Sequence, residues 1–241
     1  MASMIADAYR RTWADRAALT RAGGLWVLLS LLGDLVAVTS GVESGPGDTE
    51  GTGAPALAFP FALIGWIGLS ALTVHRVRVL LLEDPPPRLM APLDRHVVRY
   101  ILAELVVGAL AVSPSLVALV LLAPIGDVPL AVSAGTVAAL FVFARLHLAL
   151  AAAAIGERGI AIERSWRATS RVWPQAAIGL IACSLPLALI GGSTGAAIAG
   201  SGVPLTGSTI ATLGAYAQAC VLATFLAASW RRLVGVPPPT V

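Results

Sequence analysis

Six long apolar runs limit this chain more than any other feature of its sequence. They cover about residues 24–40, 57–74, 97–123, 130–155, 174–190 and 208–230. Each is roughly 17–27 residues long, the length an α-helix needs to cross a hydrocarbon core of about 30 Å. In lipid a backbone must satisfy its own N–H and C=O groups, which a helix does within one segment. A barrel would need alternating strands of about ten residues, and these runs do not alternate. Composition agrees, with 57% hydrophobic residues, 12% charged residues and a mean hydropathy of +0.85. Soluble domains carry roughly 25% charged residues. The sequence therefore predicts an all-α integral membrane protein, a single polytopic domain of six transmembrane helices over 1–241. Arg10 and Arg11 precede the first run as they would in a signal peptide. The polar lead is long, however, and Thr39 spoils a small-x-small pattern after Ala37, so an uncleaved first helix is expected.

All 16 basic residues are arginine. They flank the apolar runs instead of forming one basic domain, which argues against a nucleic-acid partner and for the positive-inside rule. The loops at 41–56, 124–129 and 191–207 contain no arginine, and every arginine except Arg145 lies in the other extramembrane segments. The expected topology is multi-pass in a bacterial inner membrane, with both termini cytoplasmic. Gly and acidic residues make 41–56 a flexible loop, 124–129 reads as a tight turn, and 191–207 reads as an uncharged small-residue loop. Three prolines after Asp84 stop the second span's helix, and Ser113-Pro114-Ser115 is expected to kink the third.

Two segments outside the runs read as short interfacial amphipathic helices. In 1–22, Ile5, Tyr9, Trp13 and Ala17 fall at four-residue steps on one face. In 158–172, Ile162, Trp166, Thr169 and Trp173 share a face while Arg164, Arg167 and Arg171 occupy another. Aromatic side chains at headgroup depth with arginines on lipid phosphates would bind anionic lipid. The alternative is a charge cluster that only fixes topology. Arg11-Thr12-Trp13 before the first run resembles Arg164-Ser165-Trp166 before the fifth, and 95–100 is a weaker copy. Three repeated helical hairpins would follow from that pattern.

Asp34, Glu104, Arg145 and His147 are the ionisable groups inside the runs. Each is costly in lipid and is expected to face protein or water. Glu104 and Arg145 lie at similar depth, as a structural ion pair or as part of a headgroup or proton site. Asp34 sits near mid-span and suits a hydrogen bond to another helix, or a proton site. Cys183 and Cys220 read as buried thiols. Hydrolase, P-loop and zinc motifs are missing, and no metal or other cofactor is expected.

The stretch 145–173, with its R-L-x-L-A-L-x-A-A-A-I-G-E and R-S-W-R-A-T patterns, resembles a family of uncharacterised bacterial membrane proteins. It is similar to the YciC-like proteins and to the membrane domain attached to some glycerophosphoryl diester phosphodiesterases. Arg145, Leu146, Leu148, Gly156, Ser165, Trp166, Thr169 and Trp173 carry the resemblance, with Val74, His75, Arg76 and 80–83 as a second patch. Relatives often place a proline after the arginine where this chain has Ala152 or its neighbours, so a straighter helix is expected. The resemblance implies an inner-membrane location and no established reaction. The phosphodiesterase barrel is absent from these residues, so that activity does not transfer.

Two functional readings follow. The first is a non-enzymatic membrane protein that binds anionic lipid, or a protein partner, through Arg164, Trp166, Arg167, Arg171 and Trp173, and organises the envelope. The second is a small transporter or permease component using Asp34, Glu104 and Arg145.

Overall fold

The computed structural model describes residues 2–39, 54–85, 90–122, 128–157 and 161–235. Residues 41–53 of the loop read at 41–56, 124–127 of the turn read at 124–129, and residues 236–241 lie outside the described residues, while 54–56 and 128–129 prove to be the first turns of the helices that follow. Nine α-helices make up the described chain: α1 (Ala2–Ala14), α2 (Arg16–Thr39), α3 (Ala54–Leu82), α4 (Arg95–Leu122), α5 (Val128–Ile155), α6 (Ala161–Ala168), α7 (Trp173–Ala188), α8 (Thr194–Gly200) and α9 (Pro204–Leu233). Among the described residues there is no strand. Six helical stretches are long and apolar enough to cross a membrane: α2, α3, α4, α5, α7 continued through α8, and α9.

Neighbouring spans pack as antiparallel hairpins, and small residues set their spacing. On α2 and α3, Gly33 faces Phe61, Gly65 faces Ser30 and Gly23 faces Leu72. On α4 and α5, the Ser115 hydroxyl donates to the Gly135 carbonyl at 2.9 Å, and His96 lies against Gly156. On α8 and α9 the seam is nearly all backbone: a Cβ on Gly195 would come within 2.7 Å of the Gly207 carbonyl oxygen. Close approach of this kind is how helices associate where lipid removes the hydrophobic drive. The main apolar core lies among α2, α3, α4, α5 and α9, and a smaller one joins α1, α5, α7 and α9. Away from its buried Val97, Tyr100 and Val107, α4 shows a long apolar face, with Leu102, Leu105, Val106, Val117 and Val120 exposed, which suits contact with acyl chains.

Four differences from the sequence reading have physical causes. The first span begins at Arg16, because the N-terminal segment breaks at Asp15 and α1 ends at Ala14. The second span continues past 74 to Leu82 with Arg76 inside the packed helix at 3% exposure. Asp15 offsets that charge, its Oδ2 2.7 Å from Arg76 Nη1, and the Thr224 hydroxyl accepts from Arg76 Nε at 3.1 Å. The small-residue segment from 191 is helical: a π-helical turn at Leu189–Ser193 joins α7 to α8, and only 201–203 break the path into α9. Within lipid an uncapped Gly/Ser loop would leave backbone groups unsatisfied, so helix is the lower-energy state. Lastly, α9 starts at Pro204, one turn earlier than expected.

Prolines inside these helices open carbonyls that hydroxyls fill. Pro114 removes the donor that would bond the Leu110 carbonyl, and the Ser113 hydroxyl donates to it at 3.0 Å. Pro186 does the same to the Ala182 carbonyl, and the Tyr9 hydroxyl of α1 reaches it at 3.0 Å. Burial, with Cys183 nearby, raises the Tyr9 pKa, so the phenol keeps the proton it donates. This bond and a Thr12–Thr224 hydroxyl contact at 3.2 Å dock α1 along α7 and α9. The helix therefore presents Ala8 and Tyr9 to protein, and leaves Trp13 71% exposed.

Candidate functional site

The last four turns of α5 are alanine-rich, and 144–152 are buried on every side. Arg145 stands at the start of that stretch. Its carbonyl accepts from the Ser165 hydroxyl at 2.7 Å and from the Thr169 hydroxyl at 3.0 Å. Both donors come from the α6 segment, which thus folds back along α5. The face of α6 that meets protein is the hydroxyl face: Ser165 is 2% exposed and Thr169 fully buried. Ile162 and Trp166 lie on its flank, 41% and 39% exposed. The expected apolar face is therefore shared, with Thr169 on protein and the bulky residues left half-open.

Trp166 and Phe141 receive the Arg145 guanidinium. Its central carbon is 4.3 Å from the Trp166 ring centroid and 5.9 Å from that of Phe141. Phe141 in turn stands edge-on to Trp166 and Trp173, with centroids 5.8 and 4.8 Å away. Cation–π contact of this kind stabilises a desolvated cation by about 2 kcal/mol. It does not neutralise the charge. Arg145 is 8% exposed, its Nε is buried without a hydrogen-bond partner, and no ion pair among the described residues includes it.

The other arginines of the segment are solvent-facing. Arg164 pairs with Glu157 and lies over Trp230, and Arg167 pairs with Glu163. Arg171 is exposed and has no acidic partner among the described residues.

The remaining intramembrane groups do not join this site. Glu104 accepts from Trp66 Nε1 at 3.1 Å and from the Ser70 hydroxyl at 3.0 Å, so its partners are on α3 and not Arg145. Asp34 accepts from the Thr212 hydroxyl at 2.8 Å, tying α2 to α9. His147 is fully buried, stacks on Phe225, and holds Nδ1 2.7 Å from the Ala144 carbonyl. That contact places the ring proton on Nδ1 and leaves Nε2 as an unpartnered acceptor. Cys183 and Cys220 are buried free thiols, and no three metal-ligating side chains cluster among the described residues.

Sequence reasoning missed Phe141 and the Asp15–Arg76–Thr224 group. Phe141 sits one turn before Arg145 on the same helix face, a spacing that could have suggested it. The Asp15–Arg76 pair spans 61 residues and has no local signal. Against known proteins, no family model, no curated protein and no solved structure matches this chain.

Proposed function

We propose that this chain is a non-enzymatic protein of a bacterial inner membrane that holds anionic phospholipid at α6. The observation that supports this is the Arg145 guanidinium, buried on an aromatic cage with no carboxylate among the described residues to balance it. A charge at this depth costs several kcal/mol unless an anion compensates it. A lipid phosphate entering beside half-exposed Trp166 would supply that anion, and exposed Arg171 would extend the contact. The YciC-like assignment belongs to the same proposal. Its motif residues Arg145, Ser165, Trp166, Thr169 and Trp173 converge on one contact, which is a reason to keep the motif but not a reaction.

The orientation we propose follows the arginines, with α1, α6 and the end of α9 on the cytoplasmic side. The three hairpins also support a cyclic repeat. The α6 helix docks on the second helix of the hairpin before it, and α1 docks on α9, the second helix of the last hairpin. Transport through Asp34, Glu104 and Arg145 gains no support, because these residues bond at three separate helix interfaces.

The test is native mass spectrometry of protein purified from mixed phosphatidylcholine and phosphatidylglycerol. Wild type is expected to retain phosphatidylglycerol, and Arg145→Gln to lose about tenfold of that affinity. Arg145→Lys, which keeps the charge but not the planar stack, is expected to fall between them. Equal retention by all three would remove the reading.

A further inference from the structure

A second cationic site lies at the arginine-rich end, lined by α9 residues other than the Trp230 that Arg164 of α6 covers. Between α1, α3 and α9 is a pocket of about 290 Å³. Its inner wall is small and apolar, with Ala8, Ala227 and Ala228, and Thr224 closes its depth. Arg11, Arg231 and Arg232 stand around it, and Asp7 is its one acidic member among the described residues. Asp7 is engaged by Arg10 at 3.2 Å, outside the pocket. Arg231 donates to the Leu80 carbonyl and Arg232 to the Met4 sulfur, both uncharged acceptors. None of the three pocket arginines has a carboxylate partner among the described residues.

A second charge lies directly behind the wall. Arg76, 3% exposed, donates to the Thr224 hydroxyl, and its Nη2 is buried with no partner. Asp15 balances Arg76 alone. The neighbourhood therefore holds Arg10, Arg11, Arg76, Arg231 and Arg232 against Asp7 and Asp15, a clear positive excess. Guanidinium forks match phosphate oxygens in pairs, and basic pockets between membrane helices hold phosphorylated headgroups. The volume is at the lower limit of ligand sites, about 300–1,000 Å³, so the occupant is headgroup-sized.

We propose that this pocket binds an anionic phosphate ester, its phosphate on Arg11, Arg231 and Arg232 and its small adjoining group against Ala8, Ala227 and Ala228. The site shares no residue with the α6 cage and does not depend on it. Two sources share this chemistry: the headgroup of an anionic phospholipid and a soluble phosphate.

The full-length protein in phosphatidylcholine nanodiscs separates them. One arm titrates inorganic phosphate and reads the melting temperature; the other doses phosphatidylglycerol into the disc and counts lipids retained by native mass spectrometry. Two variants probe the pocket: Arg11→Gln/Arg231→Gln/Arg232→Gln removes charge, and Ala228→Phe fills the space with every charge kept. Ala228 lines the pocket and is only part-buried, so its substitution is directed at the pocket and not at the core. Each variant is expected to weaken the wild-type response about tenfold, while Arg95→Gln/Arg99→Gln, which removes two exposed arginines of α4 outside both sites, leaves it unchanged. A response to phosphate in solution identifies a soluble ligand, and a response confined to phosphatidylglycerol and reduced by the two pocket variants identifies the headgroup. Wild type that responds in neither arm overturns the proposal. So does Ala228→Phe that binds as wild type does, because the arginines would then be acting as general surface charge.

Discussion

Tyr9 shows at a single side chain how lipid-embedded backbone is kept satisfied. Its hydroxyl donates to the Ala182 carbonyl, which Pro186 leaves without its helical N–H donor. Tyr9→Phe should therefore cost about 1 kcal/mol by leaving a buried acceptor unmet. Pro186→Ala restores the helix's own donor, so in that background Tyr9→Phe should cost much less. A double-mutant cycle on chemical unfolding measures the coupling, and additive losses would refute it. Ser165 and Thr169 make a parallel case. Ser165→Ala with Thr169→Val removes both hydroxyls from the Arg145 carbonyl and should loosen α6 by about 1–3 kcal/mol. Faster amide exchange in 161–172 with α5 unchanged is the expected readout. The motif residues were legible in the sequence, but their role was not. Spacing put Thr169 on the face with the tryptophans, yet could not say that this face meets a backbone carbonyl and not lipid.

Among the helices, the interiors of the spans were legible and their ends were not. Apolar runs located all six, because hydrophobicity over about 20 residues is the strongest signal in a membrane chain. The second span read as ending at residue 74, short of Arg76, since nothing local shows that Asp15 will cover the arginine's charge. Gly and Ser from 191 read as loop, since their composition favours turns in water. In the structure those residues pack the α8–α9 seam, where Gly191 meets Gly214 and a Cβ on Gly214 would lie 2.8 Å from the Gly191 Cα. Gly214→Val should separate the pair and cost about 1–3 kcal/mol, visible as a lower melting temperature in detergent. The α3 terminus predicts the opposite sign. Glu83 holds φ at 59°, a left-handed position where side chains cost about 1 kcal/mol, and the ends of α5 and α9 place Gly156 and Gly235 in the same region. Glu83→Gly should stabilise the protein by about that amount.

For the whole molecule, the proposed orientation rests on charge placement. On that proposal an alkaline phosphatase fused after Gly47 is active on the outer side of the membrane, and a fluorescent protein fused after Leu233 fluoresces inside the cell. A cytosolic Gly47 reporter would reverse the assignment. The docking of α1 on α7 and α9 has a consequence in time as well as space. The partners of Tyr9 and Thr12 lie 173 and 212 residues further on, so α1 has no berth until α7 and α9 have been inserted. A nascent chain stalled before α7 thus keeps α1 unshielded, and only the arrival of α9 completes its cover. Protease cleavage within 2–14 is then a direct report on whether that docking has taken place.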